Sequence, residues 1–168
     1  MSSCRGQSNF PVPDTNIVLK YYPLGDSEVN IPSKLLLPAC EDILDGVQSL
    51  IVQYGENWRF KSERDEGTAE EKGRFKSHDV KIDFGLGAQG MTATLYEAHI
   101  AIGGIKMAAM DPKYGYTEEA SIRIEDNAVD EATITLHCAD GRDSRCPLRR
   151  TLIPGEPPLS AGRGGINS

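Results

Sequence analysis

The second half of the chain alternates between apolar and polar residues, which is the pattern of β-strands with one buried face. Residues 78–86 place an apolar side chain at every second position from Val80 to Leu86, with the charged residues Lys81 and Asp83 between them. The same period of two recurs over residues 120–125 and 132–138, on either side of a polar turn. These three segments predict strands that pack one face against a shared core.

The first half contains one segment that fits a helix and several that fit strands. Residues 38–45 predict a short helix, because Pro38 suits a first turn, acidic residues follow it and Gly46 can end it. The strands that the pattern predicts in the first half cover residues 16–22, 47–54 and 57–61. A further strand is predicted in the second half, over residues 91–102.

A polar segment separates two of these strands. Residues 61–76 contain ten charged side chains and no Ile, Leu or Val, so we expect a mobile loop. The tetrapeptide at residues 59–62 recurs at residues 74–77. This repeat fits two strands that leave and return side by side, with Phe60 and Phe75 on a shared apolar face.

The last predicted hairpin has a definite register. If Cys138 faces Cys146, then Leu136 faces Leu148, and the resulting surface is apolar except at Arg150. A slip by one residue would turn the apolar side chains to the other face, so the pattern favours this register.

About eight strands and one short helix predict a mainly β fold, either an antiparallel β-sandwich or jelly roll, or a small barrel. A single β-domain is expected over residues 16–153. Residues 1–15 and 154–168 contain proline, and the second of these segments also contains glycine, so we expect extended arms there. Such arms fit frayed termini, or segments that clasp a neighbouring subunit.

The charge of the chain limits its partners. The 168 residues carry a formal net charge of −7, which argues against nucleic acid as a partner, since phosphates require a positive surface. The charge is uneven, because residues 141–168 contain five arginines and two acidic residues. No segment resembles a signal peptide or a membrane span, so we expect a soluble, acidic, cytoplasmic protein with no membrane partner.

The four cysteines predict reduced thiols, and we expect no metal and no cofactor. Cys138 and Cys146 would be close enough for a disulfide, but their separation does not match the short spacing of zinc sites. His137 and Cys138 would point to opposite faces of one strand. The acidic turn at residues 125–131 follows from turn chemistry and needs no calcium ion. No phosphate-binding loop is present.

One pair of residues fits acid–base chemistry. On the predicted strand 91–102, Glu97 and His99 share a face, so the carboxylate could raise the pKa of the imidazole. Tyr96 precedes them on the opposite side of the strand. The same spacing equally fits a solvated pair.

Two groups of side chains fit a binding role. Guanidinium groups suit carboxylates or phosphates at interfaces, although at a sheet edge they could instead prevent aggregation. Tyrosines in a loop fit a stacking platform for a sugar. The binding candidates are Arg142, Arg145, Arg149, Arg150, Tyr114 and Tyr116.

These features favour a non-enzymatic domain that acts through protein binding or self-assembly, with a protein or a second copy as its partner. In a homo-oligomer the acidic body of one copy would meet the arginines of the next. The alternative is a small β-barrel enzyme or ligand carrier whose inner pocket uses Glu97 and His99.

Overall fold

Within the residues that the structure describes, the fold is one antiparallel sheet of six strands with two helices packed on one face. The computed structural model describes residues 8–24 and 31–138. In chain order the elements are β1 (Ser8–Pro11), β2 (Ile17–Pro23), α1 (Ser33–Tyr54), a 3-10 turn (Glu70–Lys72), β3 (Arg74–Ser77), β4 (Val80–Leu86), α2 (Leu95–Met110), β5 (Ala120–Asp126) and β6 (Val129–Cys138). The strand order across the sheet is β1-β2-β5-β6-β4-β3, and every neighbouring pair is antiparallel.

The core lies between the helices and the inward face of the sheet. Residues that pair across neighbouring strands share a face, and one inward row joins Tyr21, Ile122 and Ile134, all buried. Leu36 of α1 and Ile102 of α2 are fully buried above the sheet. Burying one such side chain stabilises the fold by about 1.5–3 kcal/mol relative to leaving it exposed. No element within the described residues covers the outward face of the sheet.

The strands predicted from alternation in the second half are confirmed. β4, β5 and β6 occupy the predicted segments, and both β-turns next to them are two residues long. Asn127 and Ala128 turn the chain from β5 to β6 with positive φ angles of 54° and 67°. The antiparallel sheet is therefore confirmed, and 16–22 is also confirmed as β2. The sandwich, jelly-roll or barrel arrangement is not confirmed, since the described strands form one open sheet.

The first helix is much longer than predicted. The short helix over 38–45 and the strand over 47–54 are wrong as separate elements, because both segments belong to α1. Pro38 lies inside the helix and does not begin it, and Gly46 does not end it. Apolar residues continue at helical spacing through both, and the core side of α1 carries Leu36, Cys40, Ile43, Val47 and Leu50.

The predicted strand over 91–102 is also wrong, because this segment enters α2 at Leu95. Ala98, Ala101, Ile102 and Ile105 are all buried, and a helix buries them together whereas a strand would split them between two faces. The predicted strand over 57–61 is reduced to an isolated bridge between Arg59 and Thr94.

The predicted pairing of residues 132–138 with 146–152 is wrong, because both edges of β6 are occupied. Leu136 pairs with Ala120 of β5 on one side and with Ile82 of β4 on the other. Residues 146–152 themselves lie outside the described residues.

The two cysteines in the described residues differ in oxidation state. Cys138 is disulfide-bonded, so the prediction of a free thiol there is wrong. Cys40 is free, and burial raises the pKa of its thiol to about 12. A buried thiol of this kind is inert as a nucleophile.

The charged loop before β3 makes many local contacts. Glu71 accepts hydrogen bonds from the Tyr54 hydroxyl at 2.7 Å and the Thr68 backbone N–H at 3.1 Å. Phe60 and Phe75 share an apolar face as predicted, with ring centroids 5.9 Å apart. The mobility of the loop stays a prediction.

Of the predicted N-terminal arm, Ser8–Pro11 forms the edge strand β1, whereas the C-terminal arm lies outside the described residues.

Candidate interaction surfaces

Helix α2 has a buried apolar side and a second, exposed apolar side. Ile102 and Ile105 face the core and are fully buried. Tyr96, Met107 and Met110 face away from it and are 40%, 41% and 59% exposed. A helix that is apolar all round is normally covered on all sides, so the outer side of α2 fits a contact surface.

The three exposed apolar residues of α2, together with the partly buried Ile100 and Gly103, follow the spacing of a helix–helix contact. They are separated by four, three, four and three residues, which is the repeat that places side chains along one seam. At the centre of the seam is Gly103, where an added Cβ would meet no atom within 4 Å. We name this surface the α2 stripe, and its residues are Tyr96, Ile100, Gly103, Met107 and Met110.

The outward face of the sheet is the second candidate surface, and its charge is opposite to that of the chain. The described strands place five cations and three carboxylates on it, whereas the whole chain has a net charge of −7. Three cations of this face are paired with carboxylates: Lys20 with Glu125 at 2.9 Å, Arg123 with Asp130 at 3.8 Å, and Arg74 with Glu63 outside the sheet. The charged residues of this face are Lys20, Arg74, Lys76, Lys81, Arg123, Asp83, Glu125 and Asp130.

One row of this face consists of basic side chains only. Lys76 of β3 pairs with Lys81 of β4, and Lys81 pairs with His137 of β6. We name these three residues the lysine row. The His137 Nε2 atom lies 3.1 Å from Asp83 Oδ2 in the next row, while the other oxygen of Asp83 is buried without a hydrogen-bond partner. Neither lysine forms an ion pair within the described residues.

Glu97, the predicted catalytic carboxylate, has a structural contact at the start of α2. Its side chain accepts a hydrogen bond from the Thr94 backbone N–H at 2.9 Å, and the Thr94 hydroxyl accepts one from the Glu97 backbone at 3.1 Å. This reciprocal capping satisfies two N–H groups that the first helical turn leaves without partners. Glu97 is only 6% exposed.

A second carboxyl group, Glu131, contacts Glu97. β6 has one extra residue opposite the step between Ile124 and Glu125, and this bulge leaves Glu131 unpaired. A bulge re-aims the side chain of the extra residue, here toward α2. The pKa of Glu131 is raised above its ordinary value. Burial is the largest cause, followed by the charges of Glu97 and Asp126, and Glu131 also shares a hydrogen bond with Glu97. Sequence reasoning missed this pair.

The prediction that Glu97 and His99 share one face of a strand is wrong, because both residues lie in α2. Two residues along a helix are about 200° apart around its axis, so the two side chains leave different sides of α2. Glu97 is buried, whereas His99 is partly exposed and Tyr96 belongs to the α2 stripe. The structure therefore does not bring the three predicted catalytic residues together.

The predicted tyrosine platform packs against the body of the domain. The Tyr114 ring lies 5.0 Å from that of Phe10, and the Tyr116 ring lies 4.7 Å from that of Tyr21. Both tyrosines are only partly exposed, so the prediction that they form an open stacking surface is wrong. Their binding role stays a prediction.

The predicted binding residues Arg142, Arg145, Arg149 and Arg150 lie outside the described residues.

Two adjoining grooves lie between residues 58–65 and the turn after β4, with volumes of about 410 and 390 Å³. Both are lined by Lys61 and by Leu86, which is 55% exposed. Neither groove is lined by Glu97 or His99, so neither provides the inner pocket that an enzyme or carrier using those residues would need.

The described residues contain no group of three side chains arranged to hold a metal ion, and none of their helices could span a membrane. Comparison with known proteins assigns no family, because no family profile, curated protein or solved structure matches the chain.

Proposed function

We propose that this protein is a non-enzymatic interaction domain that associates with a second copy of itself through the α2 stripe. The observation that carries the proposal is the set of apolar side chains along the solvent-exposed side of α2. Burying Met107 and Met110 against a partner would remove apolar surface that the isolated domain leaves in water.

The stripe is self-complementary, which favours a second copy as the partner. Tyr96 lies seven residues before Gly103 and Met110 lies seven after it, while Ile100 and Met107 lie three before and four after. An antiparallel pair of α2 helices related by a two-fold axis at Gly103 would therefore place Tyr96 of one copy on Met110 of the other. A methionine sulfur against an aromatic ring is a favourable contact.

Charge on the flank of the stripe is compatible with this arrangement. Lys106, three residues after Gly103, binds Glu41 of α1 at 2.8 Å, and His99 lies four residues before Gly103 on the same flank. The two-fold axis would bring the Lys106–Glu41 pair of one copy near His99 of the other. Glu41 is exposed and could accept a hydrogen bond from that imidazole.

The size of the stripe predicts a weak dimer. The 16 residues of α2 are about 24 Å long, and one helix seam buries less than the roughly 1,600 Å² of a standard interface. We therefore expect a dissociation constant on the order of micromolar or weaker.

The test is sedimentation equilibrium of the full chain over a range of concentrations. Met107→Glu places a carboxylate in the seam and should weaken association at least about tenfold, since a charge is costly to bury without a partner. Met91→Glu is the matched control, because Met91 is 45% exposed but lies in the loop before α2. Equal association of the two variants, or a wild type that is monomeric throughout, would refute the proposal.

A further inference from the structure

We infer that the outward face of the sheet binds an acidic segment of a partner protein at the lysine row. This surface lies on the face of the sheet opposite the helices, so the inference is independent of association through the α2 stripe.

Lys76 and Lys81 carry like charges at directly opposed positions of β3 and β4. Directly opposed residues of an antiparallel pair have neighbouring Cβ atoms, and like charges at such positions repel. His137 continues the row on the next strand, and the carboxylate beside the row, that of Asp83, lies 3.1 Å from the His137 Nε2 atom. A carboxylate-rich ligand would convert this repulsion into attraction.

Protection of a sheet edge does not explain the row. Lysine on an edge strand discourages pairing with another sheet, and Lys76 lies on the edge strand β3. Lys81, however, lies on β4, which β3 and β6 flank on its two sides. Edge protection does not require a lysine on this inner strand directly opposite the first one.

The geometry fits an extended acidic peptide. Neighbouring strands are about 4.8 Å apart, so the row presents cations at a spacing that flexible Glu or Asp side chains on a peptide can match. A nucleic acid fits less well, because single strands bind by base stacking on aromatic rings. Tyr22, the aromatic residue that the described strands present on this face, is covered by the Arg123 guanidinium 5.2 Å from its ring centroid.

The test is fluorescence anisotropy of the full chain with fluorescein-labelled hexaglutamate at low salt. The double variant Lys76→Glu/Lys81→Glu should bind at least about tenfold more weakly than the wild type, because attraction becomes repulsion at two sites. The matched control is Lys34→Glu/Lys113→Glu, which changes the net charge equally at exposed lysines of α1 and of the loop after α2. This control should lose much less affinity.

Three results would overturn the inference. They are no binding of hexaglutamate by the wild type, equal losses in the two double variants, and tighter binding of labelled oligothymidylate than of the peptide. Met107→Glu should keep its affinity for hexaglutamate, whether or not it dimerises, so failure of the dimer and failure of the peptide site can be told apart.

Discussion

Gly103 and Gly104 are neighbours in α2, yet a side chain added at each would meet opposite environments. A Cβ at Gly103 would contact nothing within 4 Å, whereas a Cβ at Gly104 would lie 2.7 Å from Val12 Cγ2 and 2.9 Å from Leu19 Cδ1. The step between these two glycines therefore separates the side of α2 that packs on the sheet from the side that carries the α2 stripe.

Alanine substitutions at the two glycines should change stability in opposite directions. Gly103→Ala should raise the free energy of unfolding by about 0.5–1 kcal/mol, because alanine loses less backbone entropy in a helix. Gly104→Ala should lower it by about 1–3 kcal/mol, because the added methyl group would lie closer than van der Waals contact to the buried side chains of Val12 and Leu19. Urea unfolding of dilute protein, followed by circular dichroism, measures both. Changes of the same sign would contradict this orientation of α2.

Glu131→Gln should stabilise the protein more at neutral pH than at acid pH. Because the pKa of Glu131 is raised in the fold above its ordinary value of 4.5, its contribution to stability is complete below that value and is lost as pH rises through the folded pKa. Glutamine is neutral throughout and avoids this loss. The difference in unfolding free energy between variant and wild type, measured at several pH values, should grow upward from about pH 4.5.

A difference that stays constant with pH would show that Glu97 and burial do not act on Glu131 as the structure indicates. Replacing Glu97 instead would be ambiguous, since its side chain also caps α2 through Thr94.

Adjacent residues of β6 should differ sharply in their sensitivity to alanine. Ile134 is fully buried between Ile122 and Phe84, so Ile134→Ala should cost about 2–5 kcal/mol by leaving a cavity. Thr135 is exposed on the outward face, and Thr135→Ala should change stability by no more than about 0.5 kcal/mol. Thermal or urea unfolding of the two variants measures this difference, and similar losses would contradict the alternation of β6.

The strands were predictable where one face meets water, and the helices were not. Alternation in β4 and β5 follows from burial of one face, so the sequence records it directly. Helix α2 has apolar residues on all sides, and its Ala98, Ile100 and Ile102 also fit a period of two. The capping pattern of Thr94 followed by Glu97 was the available signal for a helix start.

The candidate surfaces were predictable only in part. The spacing of Tyr96, Ile100 and Met107 is visible in the sequence, but it acquires meaning only once the segment is known to be helical. The Glu97–Glu131 contact depends on a bulge in β6, and a bulge has no signature in a single strand sequence. The lysine row requires the order of β3, β4 and β6, which are not all consecutive in the chain.

The most direct test of the proposed association is the molar mass of the wild-type chain by light scattering at increasing concentration, in low salt and in about 1 M NaCl, where charges are screened beyond about 3 Å. An apolar seam through α2 predicts that the mass rises from one chain toward two with concentration, and that it does so at least as strongly in high salt. A mass that stays at one chain at every concentration, or a dimer that dissociates in high salt, would contradict the account.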